Sequence, residues 1–238
     1  MASYDGPSPI VTDGLVFATD AGNKRCYPST GTSATDLVFE RPLTLTGTSP
    51  TYDSNYGGVW SFAGGAYYLT LDNDPALINS AEPFSISCWH WLDDYSPDQY
   101  PCWIRLKSNE SQGLIIGFSD QTSYKVPLFG SNSTWVRGRS EGIDVTDPIG
   151  VWSQTTLTYN GSAPGTLGNF KLYYNGGELT VVAASAFAST PNTNRIGMGN
   201  TTNTEWDGFI GPICLYNRVL TGAEITQNYN SQKGRFGL

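Results

Sequence analysis

The chain closes with WDGFIGPICLYNRVLTGAEITQNYN (residues 206–230), and this stretch predicts one strand followed by one short helix. Its first half is apolar and aromatic, as in a buried strand. Thr221 and Glu224 have the spacing of a capping box, which places the start of a helix at that point. Leu220 and Ile225 have the spacing of the matching hydrophobic staple. Little else in the chain has helical periodicity, so we expect one terminal helix.

The rest of the chain has the composition of a strand-and-turn protein. Its 238 residues include 27 Gly, 14 Pro and 14 Tyr, which favour turns and pleated, half-buried surfaces. No low-complexity linker and no fixed repeat divides the chain. We therefore expect an all-β fold, an antiparallel two-sheet β-sandwich with one short C-terminal helix, at residues 14–238. Residues 1–13 form a polar N-terminal arm that is either disordered or docked on a neighbour.

Short apolar runs between turn residues predict the individual strands. We expect residues 59–62 and 66–71 to form a hairpin, and Asn175-Gly176 to form a type I′ turn. Residues 20–58 are expected to be rich in loops, because Pro and Gly punctuate them. The final strand should pair beside the first, and the helix should cover the edge or end of that sheet. Strands are expected at residues 14–19, 59–62, 66–71, 84–91, 102–106, 113–118, 124–129, 134–139, 152–159, 170–174, 178–182, 195–198 and 209–216.

The charge of the chain excludes two classes of partner. The formal net charge is −8, which disfavours binding to nucleic acid or to an anionic membrane surface. No apolar run approaches 18 residues, so we expect no membrane insertion. The start at Met1 carries no secretory signal, and we expect synthesis in a cytoplasm.

The cysteines and the single histidine favour structural roles. Cys26, Cys88, Cys102 and Cys214 have no short metal-ligand spacing. Cys88 and Cys214 lie within apolar strands, where a buried free thiol is expected, and a disulfide of unassigned pairing is the alternative. His90 shares a strand face with apolar residues, so we expect a hydrogen-bonded core histidine rather than a pH switch or a catalytic base.

Four aromatic residues form the candidate carbohydrate-binding cluster. Trp91, Tyr95, Tyr100 and Trp103 lie within one loop and its flanks. Sugars stack their apolar faces on such rings, while a few polar groups bind the hydroxyls. The alternative is that the rings belong to the core or to a protein–protein contact, where aromatic residues are also enriched. Both interpretations stay open at the level of sequence.

Several segments together resemble the concanavalin A-like lectin/glucanase superfamily, in its laminin-G-like jelly-roll branch. The resemblance rests on WSFAGGAYYL (residues 60–69), FSISCW (84–89), LYYNG (172–176) and the closing stretch, in that order. It extends over about residues 14–235. It implies a concanavalin A-like jelly roll.

Acidic residues in two loops are the candidate metal ligands. Asp72 and Asp74 directly follow a strand, and Asp93, Asp94 and Asp98 crowd another loop. Oxygen-rich loops suit Ca²⁺, and related laminin-G-like domains bind Ca²⁺ at the sandwich rim. Turn formation alone also accounts for these residues. We expect no required cofactor, with Ca²⁺ at Asp72 and Asp74 as the alternative.

The same resemblance argues against catalysis. The glucanase relatives use a strand with Glu-x-Asp-x-x-Glu, which places paired carboxylates on one face. That spacing is absent from this sequence. His90, the only histidine, faces the predicted core, so a Ser-His-Asp arrangement is not expected either. We therefore expect a non-enzymatic protein.

The variant with DAGN and YP at residues 20–28, and with YNRVLT followed by EITQNYN, resembles domains of bacteriophage structural proteins and of some bacterial surface proteins. This implies a virion protein made in the host cytoplasm, either a capsid decoration protein or a fibre/appendage component. Its partners would be other virion proteins and itself, as a homo-oligomer, with cell-surface glycans as further contacts. The first alternative is a carbohydrate-binding module for host-surface glycans. The second alternative is a glycan hydrolase.

Overall fold

Two antiparallel sheets form a sandwich in the computed structural model, and this confirms the expected fold class. The structure describes residues 8–47, 50–71, 77–94, 101–109, 112–121, 124–130, 140–141, 149–181, 194–197 and 204–238. Among these residues, no helix is both long and apolar enough to cross a membrane. The strands are β1 (Leu15–Thr19), β2 (Ser33–Thr35), β3 (Pro42–Thr46), β4 (Thr51–Asp53), β5 (Val59–Ala63), β6 (Tyr68–Leu71), β7 (Pro83–Leu92), β8 (Cys102–Asn109), β9 (Gln112–Gln121), β10 (Tyr124–Gly130), β11 (Ser140–Glu141), β12 (Ser153–Asn160), β13 (Phe170–Tyr174), β14 (Gly177–Val181), β15 (Asn194–Ile196) and β16 (Asp207–Tyr216), and the helix is α1 (Gly222–Gln232).

The first sheet is built around the closing strand β16. Its order is β11-β14-β13-β12-β7-β16-β5-β4, and β1 also pairs with β16. Residues 207–210 of β16 pair with β5, and residues 213–216 of the same strand pair with β1. The predicted pairing of the first and last strands is therefore confirmed. The second sheet has the order β10-β9-β8-β15-β6-β3-β2.

Alternation along β7 separates the core from the outer face of the first sheet. Phe84, Ile86 and Cys88 lie in the main core between the sheets. Trp89 and Trp91 point the other way and pack in a separate cluster on the outer face. Apolar side chains therefore pack on both faces of β7.

His90 is a core residue, as expected. It is 1% exposed, and its Nε2 lies 2.8 Å from Thr155 Oγ1. Burial lowers the pKa of His90 to about 3, so the ring is neutral near pH 7. All four cysteines are buried free thiols, which confirms the expectation for Cys88 and Cys214. Burial also raises the pKa of Cys102 and of Cys214 to about 12, which keeps these thiols protonated and inert.

Helix α1 has the predicted cap and covers the outer face of the first sheet. Thr221 N donates to Glu224 Oε2 at 2.8 Å, and Glu224 N donates to Thr221 Oγ1 at 3.3 Å. Ile225 and Leu220 are buried in one cluster with Tyr216 of β16. The expectation that the helix covers the edge or end of the sheet is wrong, because these contacts fall on the face.

The described part of the N-terminal arm, residues 8–13, docks on its own chain. Val11 N donates to Asn228 Oδ1 at 2.7 Å, and the Tyr216 hydroxyl donates to Val11 O at 3.0 Å. Asn228 Nδ2 donates to the Tyr216 oxygen at 3.0 Å, which closes this buried network. The arm therefore helps to hold α1 on the sheet.

One sequence prediction about the strands fails. The hairpin at residues 59–71 is wrong, because β5 pairs with β4 and β16 whereas β6 pairs with β3 and β15 in the other sheet. Residues 20–58, expected to be rich in loops, also contain the short strands β2, β3 and β4. The turn at Asn175 and Gly176 is confirmed, with φ of 50° and 80°. The strand predicted at residues 134–139 lies outside the described residues.

Candidate functional site

An aromatic cluster lies on the outer face of the first sheet, and it combines four separate parts of the chain. Trp91 of β7 and Phe209 of β16 are direct cross-strand partners, with ring centroids 6.5 Å apart. Trp152 lies 6.1 Å from Trp91 and 5.1 Å from Tyr56. We call Tyr56, Trp91, Trp152 and Phe209 the aromatic surface.

The rings of the aromatic surface differ in their exposure. Trp152 is only 3% exposed and forms the floor. Tyr56 is 36% exposed, while Trp91 and Phe209 are half-buried. The indole Nε1 of Trp152 is buried and has no hydrogen-bond partner within the described part of the chain. The result is an apolar surface that is open to solvent on one side and rigidly supported on the other.

The C-terminal turn (Lys233–Phe236) packs against the aromatic surface. Phe236 is buried, with its ring centroid 4.3 Å from Trp152 and 4.5 Å from Trp89. Arg235 forms a bidentate ion pair with Asp20, at 2.7 and 2.9 Å. Its guanidinium also donates to the carbonyl oxygens of Tyr56 and Gly58. One arginine therefore ties the end of the chain to the end of β1 and to the turn that carries Tyr56.

Tyr56 adopts a backbone conformation that is unfavourable for a tyrosine. Its φ is 51°, in the left-handed region, which costs roughly 1–2 kcal/mol for a residue with a Cβ. Such strain persists only where the surroundings fix it, and it is frequent at binding sites. Here the bonds from Arg235 hold the turn, and the ring is presented beside Trp91 and Trp152.

Carboxylates border the aromatic surface. Trp91 Nε1 donates to Asp93 Oδ1 at 2.7 Å, and Asp93 N donates to the carbonyl oxygen of Asp207 at 2.9 Å. Burial raises the pKa of Asp207, and the charges of Asp93 and Asp94 raise it further. We call Asp93, Asp94 and Asp207 the acidic margin. Carboxylate oxygens beside flat rings are the groups that bind sugar hydroxyls next to a stacked ring face.

The structure separates Trp91 from Trp103, two of the four aromatic residues that the sequence placed in one cluster. Trp91 is part of the aromatic surface. Trp103 is fully buried in the main core, so its ring is not available to a surface ligand. A bulge on β8 between Cys102 and Ile104 places Trp103 and Ile104 together in the core. Tyr95 and Tyr100 lie outside the described residues.

The candidate calcium ligands Asp72 and Asp74 also lie outside the described residues. Within the described ranges, no group of three or more His, Cys, Asp or Glu side chains is arranged to hold a metal ion. Calcium binding therefore remains a prediction from the sequence.

Sequence reasoning missed Tyr56, Trp152 and Phe209 as site residues. Phe209 carried no signal, because alternation along the sequence places it on the same face as Ile213 and Leu215, which lie in the core. The irregularity of β16 between Ile210 and Ile213 turns Phe209 to the outer face. Tyr56 carried a weak signal, as a tyrosine directly before two glycines in a turn. Their proximity to Trp91 depends on strand pairing over long sequence separations.

The comparison with known proteins supports the fold. Residues 63–226 match a laminin-G-like family model described as the concanavalin A-like lectin/glucanases superfamily. No curated protein sequence matches the chain. Among solved structures, the chain is similar to domain 4 of AbnA, a GH43 extracellular arabinanase from Geobacillus stearothermophilus, in complex with arabinotriose. That likeness has a TM-score of 0.65 and 18% identity, and it covers 90% of this chain and 98% of the domain.

Two further structures are similar to the chain over part of their own length. Trypanosoma rangeli sialidase in complex with the inhibitor DANA has a TM-score of 0.64 and 16% identity, covering 97% of this chain and 36% of the sialidase. The binding domain of botulinum neurotoxin serotype D has a TM-score of 0.59 and 14% identity, covering 92% of this chain and 52% of that one. The chain thus spans about a third of the sialidase. At these identities the likeness concerns the fold alone.

Proposed function

The chain belongs to the concanavalin A-like lectin/glucanase superfamily, and on that premise we propose that it is a non-catalytic carbohydrate-binding module whose ligand stacks on the aromatic surface. The observation that carries the proposal is the arrangement of Tyr56, Trp91 and Phe209 around the buried Trp152. Flat, partly exposed rings on a rigid support are suited to the apolar face of a pyranose or furanose ring.

Two further observations favour an oligosaccharide as the ligand. The rings are mutually tilted and in contact, with centroids 5.1–6.5 Å apart, so they offer an extended surface rather than a deep cavity. The acidic margin supplies acceptors for hydroxyl groups at one side of that surface. The structurally similar domain of the arabinanase is in complex with arabinotriose, which supports a short chain of sugars as the class of ligand.

The proposal of a non-catalytic role rests on the position of the acids. Asp93 and Asp94 are exposed, and Asp93 accepts a hydrogen bond from Trp91. A general acid for glycoside hydrolysis is held in an environment that raises its pKa towards neutral pH, opposite a second carboxylate across the bound sugar. Asp207 has a raised pKa, but it lies on the same margin as Asp93, so a sugar stacked on the aromatic surface is not held between two opposed carboxylates. Absence of reducing-sugar release from any bound polysaccharide is the expected outcome.

Glycan-array binding tests the proposal with matched variants. Trp91→Ala should lower the affinity for bound oligosaccharides by about tenfold or more, equivalent to about 1.4 kcal/mol. Phe39→Ala is the control, because Phe39 is 59% exposed in the segment between β2 and β3 and is not part of the aromatic surface. Arrays run with Ca²⁺ and with a chelator test the calcium prediction at the same time. Equal binding by wild type and Trp91→Ala, or no binding by wild type, would contradict the proposal.

A second candidate is a structural role in a bacteriophage virion, as a capsid decoration protein or a fibre/appendage component. It rests on the resemblance of the entry and exit segments. Asp20 of the entry segment is ion-paired with Arg235, which follows the exit segment, so both motifs belong to one structural unit. The protein would be made in the host cytoplasm and would contact other virion proteins and further copies of itself. Its absence from purified virions, measured by mass spectrometry, would exclude this role.

A further inference from the structure

Aromatic and acidic residues follow one another on the same face of the strand pair β7–β16. Trp91 and Phe209 are direct cross-strand partners, and Leu92 pairs with Gly208 at the next step. The register therefore places Asp93 opposite Asp207, and the bond from Asp93 N to Asp207 O confirms this proximity. Alternation along each strand puts these two acids on the same outer face as the two rings.

A pair of acids in direct cross-strand register is an unfavourable arrangement in a sheet. Like charges at directly opposite positions destabilise a strand pair. The cost is visible at Asp207, whose pKa is raised by burial and then by the neighbouring acids. Arg235 borders the same aromatic surface through its bond to Tyr56, but its charge is compensated by Asp20. The surface is thus anionic at its β7–β16 margin.

Resting on the proposed function, we propose that Asp93 and Asp207 make the aromatic surface selective for neutral glycans and against glycans that carry carboxylate or sulfate groups. A sugar stacked on Trp91 lies beside the carboxylate that accepts a hydrogen bond from the same indole. Hydroxyl groups gain charge-assisted hydrogen bonds from that carboxylate. A sugar anion placed there lies within the Debye length of about 8 Å at 0.15 M salt, so its repulsion is only partly screened.

Charge-matched probes test the specificity directly. Suitable pairs are a galacturonate oligomer with its methyl ester, and a lactosamine oligomer with its sulfated form. For wild type at about 0.15 M salt we expect the neutral member of each pair to bind about tenfold more tightly. In the double variant Asp93→Asn/Asp207→Asn the ratio should fall to about twofold or less, and about 0.5 M NaCl should reduce it in wild type as well.

The substitutions Asp93→Asn and Asp207→Asn should leave the aromatic surface itself intact. Asparagine at position 93 retains a carbonyl oxygen that accepts the hydrogen bond from Trp91 Nε1. Removal of the like-charge pair should leave the melting temperature unchanged or slightly raised. Glu82→Gln is the matched control, because Glu82 is exposed just before β7 and Asp93 follows β7. The two positions are 11 residues apart, which is about 36 Å at the usual rise of a strand.

The outcomes separate the two proposals. If wild type binds the anionic member of each pair as tightly as the neutral one, the specificity is overturned while carbohydrate binding stands. An unchanged ratio in the double variant, or the same change in Glu82→Gln, also overturns the role of Asp93 and Asp207. If wild type binds neither member of any pair nor any glycan of the array, the proposed function fails and the specificity fails with it.

Discussion

Replacement of Ile225 by alanine tests how α1 contributes to the stability of the domain. Ile225 is 1% exposed and packs in one cluster with Tyr173, Tyr216 and Leu220 on the outer face of the first sheet. Loss of the side chain beyond Cβ removes buried methyl and methylene groups worth about 0.8 kcal/mol each. The cavity that remains adds to this loss, so we expect a decrease of about 2–4 kcal/mol in the free energy of unfolding.

Urea denaturation and thermal unfolding measure this effect. For a domain of this size, each kcal/mol shifts the melting temperature by about 2–4 °C, so a decrease of about 4–16 °C is expected. Thr226→Ala is the control, because Thr226 is exposed on the same helix, and its change should stay within about 0.5 kcal/mol. An unchanged urea midpoint for Ile225→Ala would refute the conclusion that α1 is packed on the sheet.

Three further variants test the support of the aromatic surface and the helix cap. Tyr56→Gly removes one ring of the aromatic surface and relieves the left-handed backbone. Calorimetry should therefore show weaker glycan binding, with an unfolding free energy within about 1 kcal/mol of wild type. An unchanged glycan affinity would show that Tyr56 is not part of the site. Arg235→Ala breaks the partly buried ion pair with Asp20 and should lower the unfolding free energy by about 1–3 kcal/mol in urea. An unchanged unfolding free energy would show that the C-terminal turn does not stabilise the domain. The hydrogen bond from Arg218 lowers the pKa of Glu224 to about 2 from 4.5, so the stabilisation by Glu224 is complete above about pH 5 and is lost as pH falls towards 2. The melting-temperature difference between wild type and Glu224→Gln should therefore shrink over that pH range, and a difference that grows on acidification would contradict the assignment.

Local rules predicted the parts of the fold that depend on neighbouring residues. The cap of α1 follows from Thr221 and Glu224 alone, since a capping box is completed within one helical turn. The two faces of β7 follow from strict alternation, which places Ile86 in the core and Trp89 outside it. The turn at Asn175 and Gly176 likewise follows from residues that tolerate positive φ.

The sequence did not show with which strands β5 and β6 pair. The segments β5 and β6 are adjacent in sequence and joined through Gly64 and Gly65, which is also the pattern of a hairpin. The chain instead crosses from one sheet to the other, and the partners of β5 lie at β4 and at the distant β16. Hydrophobic alternation defines which face of a strand is buried, but it does not identify the neighbouring strand.

In the candidate site, too, tertiary contacts decide what the local sequence does not. Trp91 and Trp103 are both tryptophans in apolar strands, and the bulge on β8 decides that only Trp91 reaches the surface. Tyr56 and Phe209 join Trp91 through cross-strand pairing and through the bonds that Arg235 makes at the end of the chain. Trp91 and Phe209 are 118 positions apart and Tyr56 and Arg235 are 179 positions apart, so local sequence patterns do not reveal that these residues meet.

The indole resonances of the protein provide the most direct test of carbohydrate binding at the aromatic surface. The chain has seven tryptophans, and each contributes one Nε1–H signal in a two-dimensional ¹H–¹⁵N NMR spectrum of the labelled protein. Trp91→Phe identifies the signal of Trp91. On titration with the neutral oligosaccharide that binds best on the array, we predict that the Trp91 signal shifts progressively and saturably, while the signals of the core residues Trp60, Trp103 and Trp206 stay in place. A saturable shift of the core indoles with Trp91 unchanged, or no shift of any indole, would contradict carbohydrate binding at this surface.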